Sequence, residues 1–154
     1  MPRTYKGGCL CGHIRFEAEG PALKPHTCSC TMCQHHSGAL TLHWVEFPAD
    51  KVRWSAKPSV WRSSDYSSRS FCPKCGSTLG AIDDKPVVAL VLGSFDSANR
   101  RELAPEYHSH AGKRPKWMAA CAPLPPWPQW PCWPPQWPAP KAGFTCPPPA
   151  RAGG

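Results

Sequence analysis

The chain has 154 residues and a formal charge of +8, is 41% hydrophobic, and contains 21 prolines and 10 cysteines. That length accommodates one domain, or one domain with a tail, and no stretch approaches the roughly 20 apolar residues that span a bilayer. Proline stands far above its usual share of about 5%, and ten cysteines are many for a chain of this size.

The N-terminus reads MPRTYKGGCLCG and lacks the apolar core of a secretory signal. The expected compartment is therefore the cytoplasm, where clustered cysteines serve as metal ligands or catalytic groups more often than as disulfides. Residues 13–19 (HIRFEAE) alternate, with Ile14, Phe16 and Ala18 on one face, and predict a half-buried strand. Residues 39–45 (ALTLHWV) predict another, with Leu40, Leu42 and Trp44 together. Short strands are expected at 51–54 and 59–62. Residues 87–92 (VVALVL) are continuously apolar, as in a central buried strand. No segment sustains a helical period. The class is mainly β, with a core small enough to need metal staples.

Seven cysteines fall into three groups: Cys9-x-Cys11, Cys28-x-Cys30-x-x-Cys33 and Cys72-x-x-Cys75. The last group, in FCPKCGS, is a zinc knuckle by chemistry: a tight turn aims both thiolates at one ion, and Gly76 can take the positive φ of that turn. It needs two more ligands, and Cys9 and Cys11 beside flexible glycines can supply them. Cys28, Cys30 and Cys33 then remain as a set of three, and three protein ligands with one open position is the pattern of reactive zinc. Such an ion suits a thiol. Other readings stay open at this point. They are a disulfide framework, an iron–sulfur cluster, or a fourth ligand from His26, His35 or His36 that would make the second site structural.

The composition breaks near Trp117. Residues 118–154 hold twelve of the 21 prolines, four of the eight tryptophans and no acidic residue. This Pro/Trp-rich segment should be irregular, because proline removes backbone donors. In polyproline II form, Trp127, Trp130 and Trp133 would share one face, as in a ligand for an aromatic groove. The plainer expectation is a disordered or non-native tail, and Cys121, Cys132 and Cys146 within it lack metal-ligand spacing. The basic residues are scattered, the densest groups being Arg100-Arg101 and the run at 113–116, without the aromatic interleaving of single-strand binders. A mildly basic chain fits a small acidic ligand as well as DNA, but the scatter of the charges makes nucleic acid the less expected partner.

The order GGCLCG, CSCTMC followed by HHSG, RSFCPKCGSTL and LGSFD resembles the glutathione-dependent formaldehyde-activating family, also called the CENP-V/GFA domain, over roughly residues 4–117. The resemblance implies a zinc-stabilised β-tent fold. It implies a structural zinc on Cys9, Cys11, Cys72 and Cys75, and a second zinc on Cys28, Cys30 and Cys33 where glutathione sulfur binds. It also implies a carbon–sulfur lyase of the S-(hydroxymethyl)glutathione synthase kind. Arg62, Arg69 and His35 are candidates for holding glutathione carboxylates. Two positions depart from the family pattern. Ser29 stands where the family often has His, and Gln34-His35 where it often has a basic residue, and both changes are expected at the rim of the open site. A thiol carrier without catalysis is the alternative that these residues allow.

Overall fold

A computed structural model describes residues 3–120. The segment from residue 121, with its proline and tryptophan pattern and its three cysteines, lies outside the described residues. The folded part is mainly β, as expected. A three-stranded sheet is built from β1 (Thr4–Gly8), β2 (Arg15–Glu19) and β5 (Val52–Trp54), in the order β1-β2-β5. A seven-stranded sheet comprises β3 (Leu23–Cys28), β4 (Leu42–Pro48), β6 (Ser59–Arg62), β7 (Ser67–Phe71), β8 (Thr78–Asp83), β9 (Val87–Val91) and β10 (Tyr107–Ser109). Its order is β10-β3-β4-β9-β8-β7-β6, which puts the apolar β9 in the middle. All pairings are antiparallel except β10 with β3.

The main core lies between the sheets. Tyr5, Phe16 and Ala18 of the small sheet meet Val45, Phe47, Val88 and Leu90 of the large one, all buried. These positions alternate along each strand, so one residue in two points inward. Phe47 is fully buried and packs its ring 5.3 Å from that of Tyr5. Phe47→Ala is expected to cost about 3–5 kcal/mol. Urea unfolding checks this, and a loss below about 1 kcal/mol would mean that Phe47 is not central. Gly7 is where the chain passes closest to its neighbours: a Cβ there would lie 2.2 Å from the Ser94 carbonyl oxygen and 2.4 Å from the Phe16 ring. Only glycine lets β1 bridge to Phe95 and run on to Cys9.

Two expectations are corrected. Leu40 is 40% exposed, because β4 begins at Leu42, after the turn from the preceding helix. That helix, α1 (Thr31–Ser37), was not expected at all. It has seven residues, too few to show a period, and its N-cap is Cys30 rather than one of the usual Ser, Thr, Asp or Asn. Gly38 ends it in the left-handed conformation, φ 73°. At the far end of the described residues, Lys116–Ala120 forms a 3-10 turn, and Thr41 Oγ1 lies 3.9 Å from Met118 Sδ. No helix among the described residues is long and apolar enough to cross a membrane.

Candidate metal centres

The first centre joins two turns distant in sequence. Cys72 starts the knuckle that follows β7. The Cys72 N–H donates to the Ser77 carbonyl, the Gly76 N–H donates back to Cys72, and Gly76 has φ 73°. Cys9 and Cys11 follow β1, with the Ile14 N–H donating to Cys9 Sγ at 3.2 Å. The Leu10 N–H donates to Ser77 Oγ at 3.0 Å and ties the two turns together. The sulfurs of Cys9, Cys11, Cys72 and Cys75 all lie within 4.8 Å of one another. Cys9 to Cys11 is 3.5 Å and Cys11 to Cys72 is 3.8 Å. Two thiolates on one tetrahedral zinc, each about 2.3 Å from it, sit about 3.8 Å apart, so the set has the spacing of a metal cage. No disulfide forms.

The thiols also need a cation electrostatically. Cys75 is held down to about 5, chiefly by hydrogen bonds from the Ser77 side chain and backbone. Cys11 is pushed up to about 11: the His13 backbone pulls it down, but desolvation and the neighbouring thiols outweigh that pull. Four thiolates crowded together cannot all ionise without positive charge among them.

The second centre lies on the opposite face of the large sheet from the main core. Cys28 ends β3, Cys30 caps α1, and Cys33 lies in its first turn. Cys30 Sγ accepts the Cys33 N–H at 3.4 Å. Burial pushes the Cys30 thiol up, but the Cys33 and Met32 N–H groups and the neighbouring thiols more than offset it and hold it below the usual thiol value. Cys33 is pushed upward by burial first, then by the adjacent Cys30 and Cys28.

The close triplet here is Cys28, Cys30 and His110, whose ligand atoms lie within 4.8 Å of one another, with His110 Nδ1 at 3.8 Å from Cys28 Sγ. Cys33, expected as the third ligand, lies outside that 4.8 Å group but lines the same cavity. His110 was not among the expected candidates. His26 instead stacks on Tyr107, ring centroids 4.9 Å apart, and its Nδ1 meets the Lys24 carbonyl at 2.8 Å. His35 is exposed on α1, and His36 is half-buried against a different cavity.

A cavity of about 220 Å³ opens over the second centre. Its floor is one cross-strand row, Glu46–Ala89–Ala81–Arg69, set by the registers of β4, β9, β8 and β7. The two small alanines leave room for the Arg69 side chain to lie back toward Trp44, its guanidinium 5.5 Å from the ring centre. Arg69 Nη2 reaches the weak acceptor Met32 Sδ at 2.9 Å, while Nε is buried with no hydrogen-bond partner. Arg62, by contrast, is engaged by both carboxylate oxygens of Asp84, at 2.6 and 2.7 Å. A larger cavity of about 640 Å³ borders Cys9, Cys75 and His36, but the thiols there already face one another in the closed set of four.

Ser29 is not at the rim. It is fully buried, its Oγ 2.7 Å from Thr41 Oγ1 and 2.9 Å from His108 Nε2. Gln34 does reach outward from α1, donating to the Leu40 carbonyl at 3.1 Å and the Lys113 carbonyl at 3.4 Å.

A small β domain carrying two thiol clusters fit for metal is the class that this geometry defines. The family model for the glutathione-dependent formaldehyde-activating enzyme matches residues 4–113, and the chain belongs to that family. An uncharacterized lyase of Schizosaccharomyces pombe is 32% identical over 87 residues, covering 51% of this chain and 57% of that protein. The crystal structure of a Rhodobacter sphaeroides protein shares the fold at a TM-score of 0.52 and 19% identity, over 68% of this chain and 99% of that one.

Proposed function

We propose that this protein is a zinc-dependent carbon–sulfur lyase that acts on glutathione–aldehyde adducts, with formaldehyde as the aldehyde. Cys28, Cys30 and Cys33 hold the reactive ion, and Cys9, Cys11, Cys72 and Cys75 hold a structural one. The observation that carries this reading is a single cavity lined by three thiols and by Arg69, whose Nε has no hydrogen-bond partner. Zinc bound there supplies a soft Lewis acid that keeps a substrate thiol ionised at neutral pH. The three cysteines orient that sulfur, and the half-exposed Cys30 leaves the approach from solvent clear. The cavity is smaller than the roughly 300–1,000 Å³ that encloses a whole ligand, so a tripeptide enters thiol first and leaves its ends outside. The seven free thiols among the described residues suit a reducing compartment such as the cytoplasm.

Arg69 is the group best placed to take a glutathione carboxylate, because Arg62 is engaged by Asp84 and His35 is exposed on α1 away from the cavity lining. A charge-assisted hydrogen bond is worth about 1.5–3 kcal/mol. Arg69→Ala should therefore weaken glutathione binding about tenfold or more, with binding of a neutral thiol such as 2-mercaptoethanol unchanged. Calorimetry on both ligands checks this, and equal losses would place the effect in the thiol site instead.

The lyase reading is tested by the rate at which S-(hydroxymethyl)glutathione forms and breaks down, measured by exchange NMR with and without protein. Acceleration that disappears in Cys30→Ser supports it. A rate equal to that in buffer, together with saturable glutathione binding, would make the protein a thiol carrier on the same ion.

A further inference from the structure

We propose that His110 is a displaceable fourth ligand of the second centre: its Nδ1 completes the set with Cys28, Cys30 and Cys33 in the thiol-free protein, and glutathione sulfur takes its place. The proposal rests on the assignment of that ion in the preceding section and adds what fills the open position. Zinc bonds of about 2.3 Å to sulfur and 2.0–2.1 Å to nitrogen put two tetrahedral neighbours about 3.6 Å apart. The observed separation of His110 Nδ1 from Cys28 Sγ is 3.8 Å, and Cys30 Sγ lies within the same 4.8 Å group.

The seating of His110 is built rather than incidental. Parallel pairing places Ser109 opposite Cys28, so His110 emerges directly beside that sulfur. The Ser29 N–H donates to the Ser109 carbonyl at 3.1 Å, and Ser29 Oγ holds His108 at 2.9 Å. Gln34 of α1 binds the Lys113 carbonyl on the other side of His110. Ser29, between two of the cysteines, and Gln34, directly after the third, thus hold both flanks of this histidine. His110 itself has φ 54° and ψ 38°, a left-handed conformation uncommon outside glycine. A strained backbone persists where its surroundings over-determine it.

His110 is also exposed, so its ring can swing into solvent without opening a cavity in the core. In the exchange, the bond from the ion to Nδ1 breaks and one to the substrate sulfur forms. The thiol proton passes to the released Nδ1, so atoms and charge balance without another reactant.

Zinc X-ray absorption fine structure on the full chain tests this, paired with native mass spectrometry for ion and glutathione counts. Imidazole gives outer-shell scattering that thiolate does not. The wild type with two zincs should show it, and His110→Asn, which tolerates the left-handed backbone and lacks an imidazole, should lose it with both ions retained. Adding glutathione to the wild type should also remove it while zinc stays at two per chain. Two zincs with bound glutathione but no imidazole scattering in the thiol-free wild type would overturn the role of His110 and leave the thiol site standing. Imidazole scattering that survives in His110→Asn would assign it to another histidine and equally overturn the proposal. A single zinc per chain would overturn both readings.

Discussion

Cys72→Ser is expected to yield a chain that does not fold cooperatively. Cys72 is 1% exposed and belongs to a buried cluster with Cys9, Ile14 and Leu79. The four-thiol set joins the turn after β1 to the turn after β7, which belong to different sheets. Binding of a structural zinc contributes on the order of 10–16 kcal/mol, comparable to or larger than the whole stability of a typical domain, about 5–15 kcal/mol. Removing one ligand, or stripping the ion with a strong chelator, should leave too little to hold the sheets together. Circular dichroism melts and zinc analysis read this out. A cooperative melt with two zincs retained in Cys72→Ser would show that the first centre is not the staple.

Cys30→Ser should act very differently. Cys30 is the N-cap of α1, and serine is among the best residues for that position. The substitution keeps the cap while replacing a soft sulfur by a poor zinc ligand. The domain is expected to melt cooperatively, zinc to fall from two to one per chain, and glutathione binding to vanish. Glutathione binding that survived would place the thiol outside this cavity. Global unfolding would make the second centre structural. The contrast between the two variants separates a staple from a reactive site more cleanly than any single loss of activity.

Much of this was legible in the sequence because the relevant signals are local. Alternation in residues 13–19 marks β2, and the apolar run at 87–92 marks the middle strand of the large sheet. Cysteine spacing and Gly76 mark the knuckle. Cys28, Cys30 and Cys33, grouped by their spacing, line one cavity, although the close ligand set there is Cys28, Cys30 and His110. What escaped depends on long-range pairing. Strand β7 is mostly serine, and β8 mixes Leu79, Ala81 and Ile82 with Thr78, Gly80 and Asp83, so neither stands out as a strand and their place comes from their neighbours. His110 lies 82 residues from Cys28, and only a three-residue parallel strand brings them together. The sole local hint is the pair of histidines His108 and His110, two residues apart. Ser29, placed at the rim by its neighbours in sequence, is instead drawn beneath the site by Thr41 and His108.

The parallel pairing of β10 with β3 also bears on how the protein is made. Synthesis runs from the N-terminus, and segments fold as they leave the ribosome. The triplet of cysteines emerges early, the knuckle much later, and His110 later still. An ion captured by the nascent triplet alone would face water and cellular thiols with its fourth side bare. If His110 takes the fourth position, pairing of β10, the last strand among the described residues, would close that bare side.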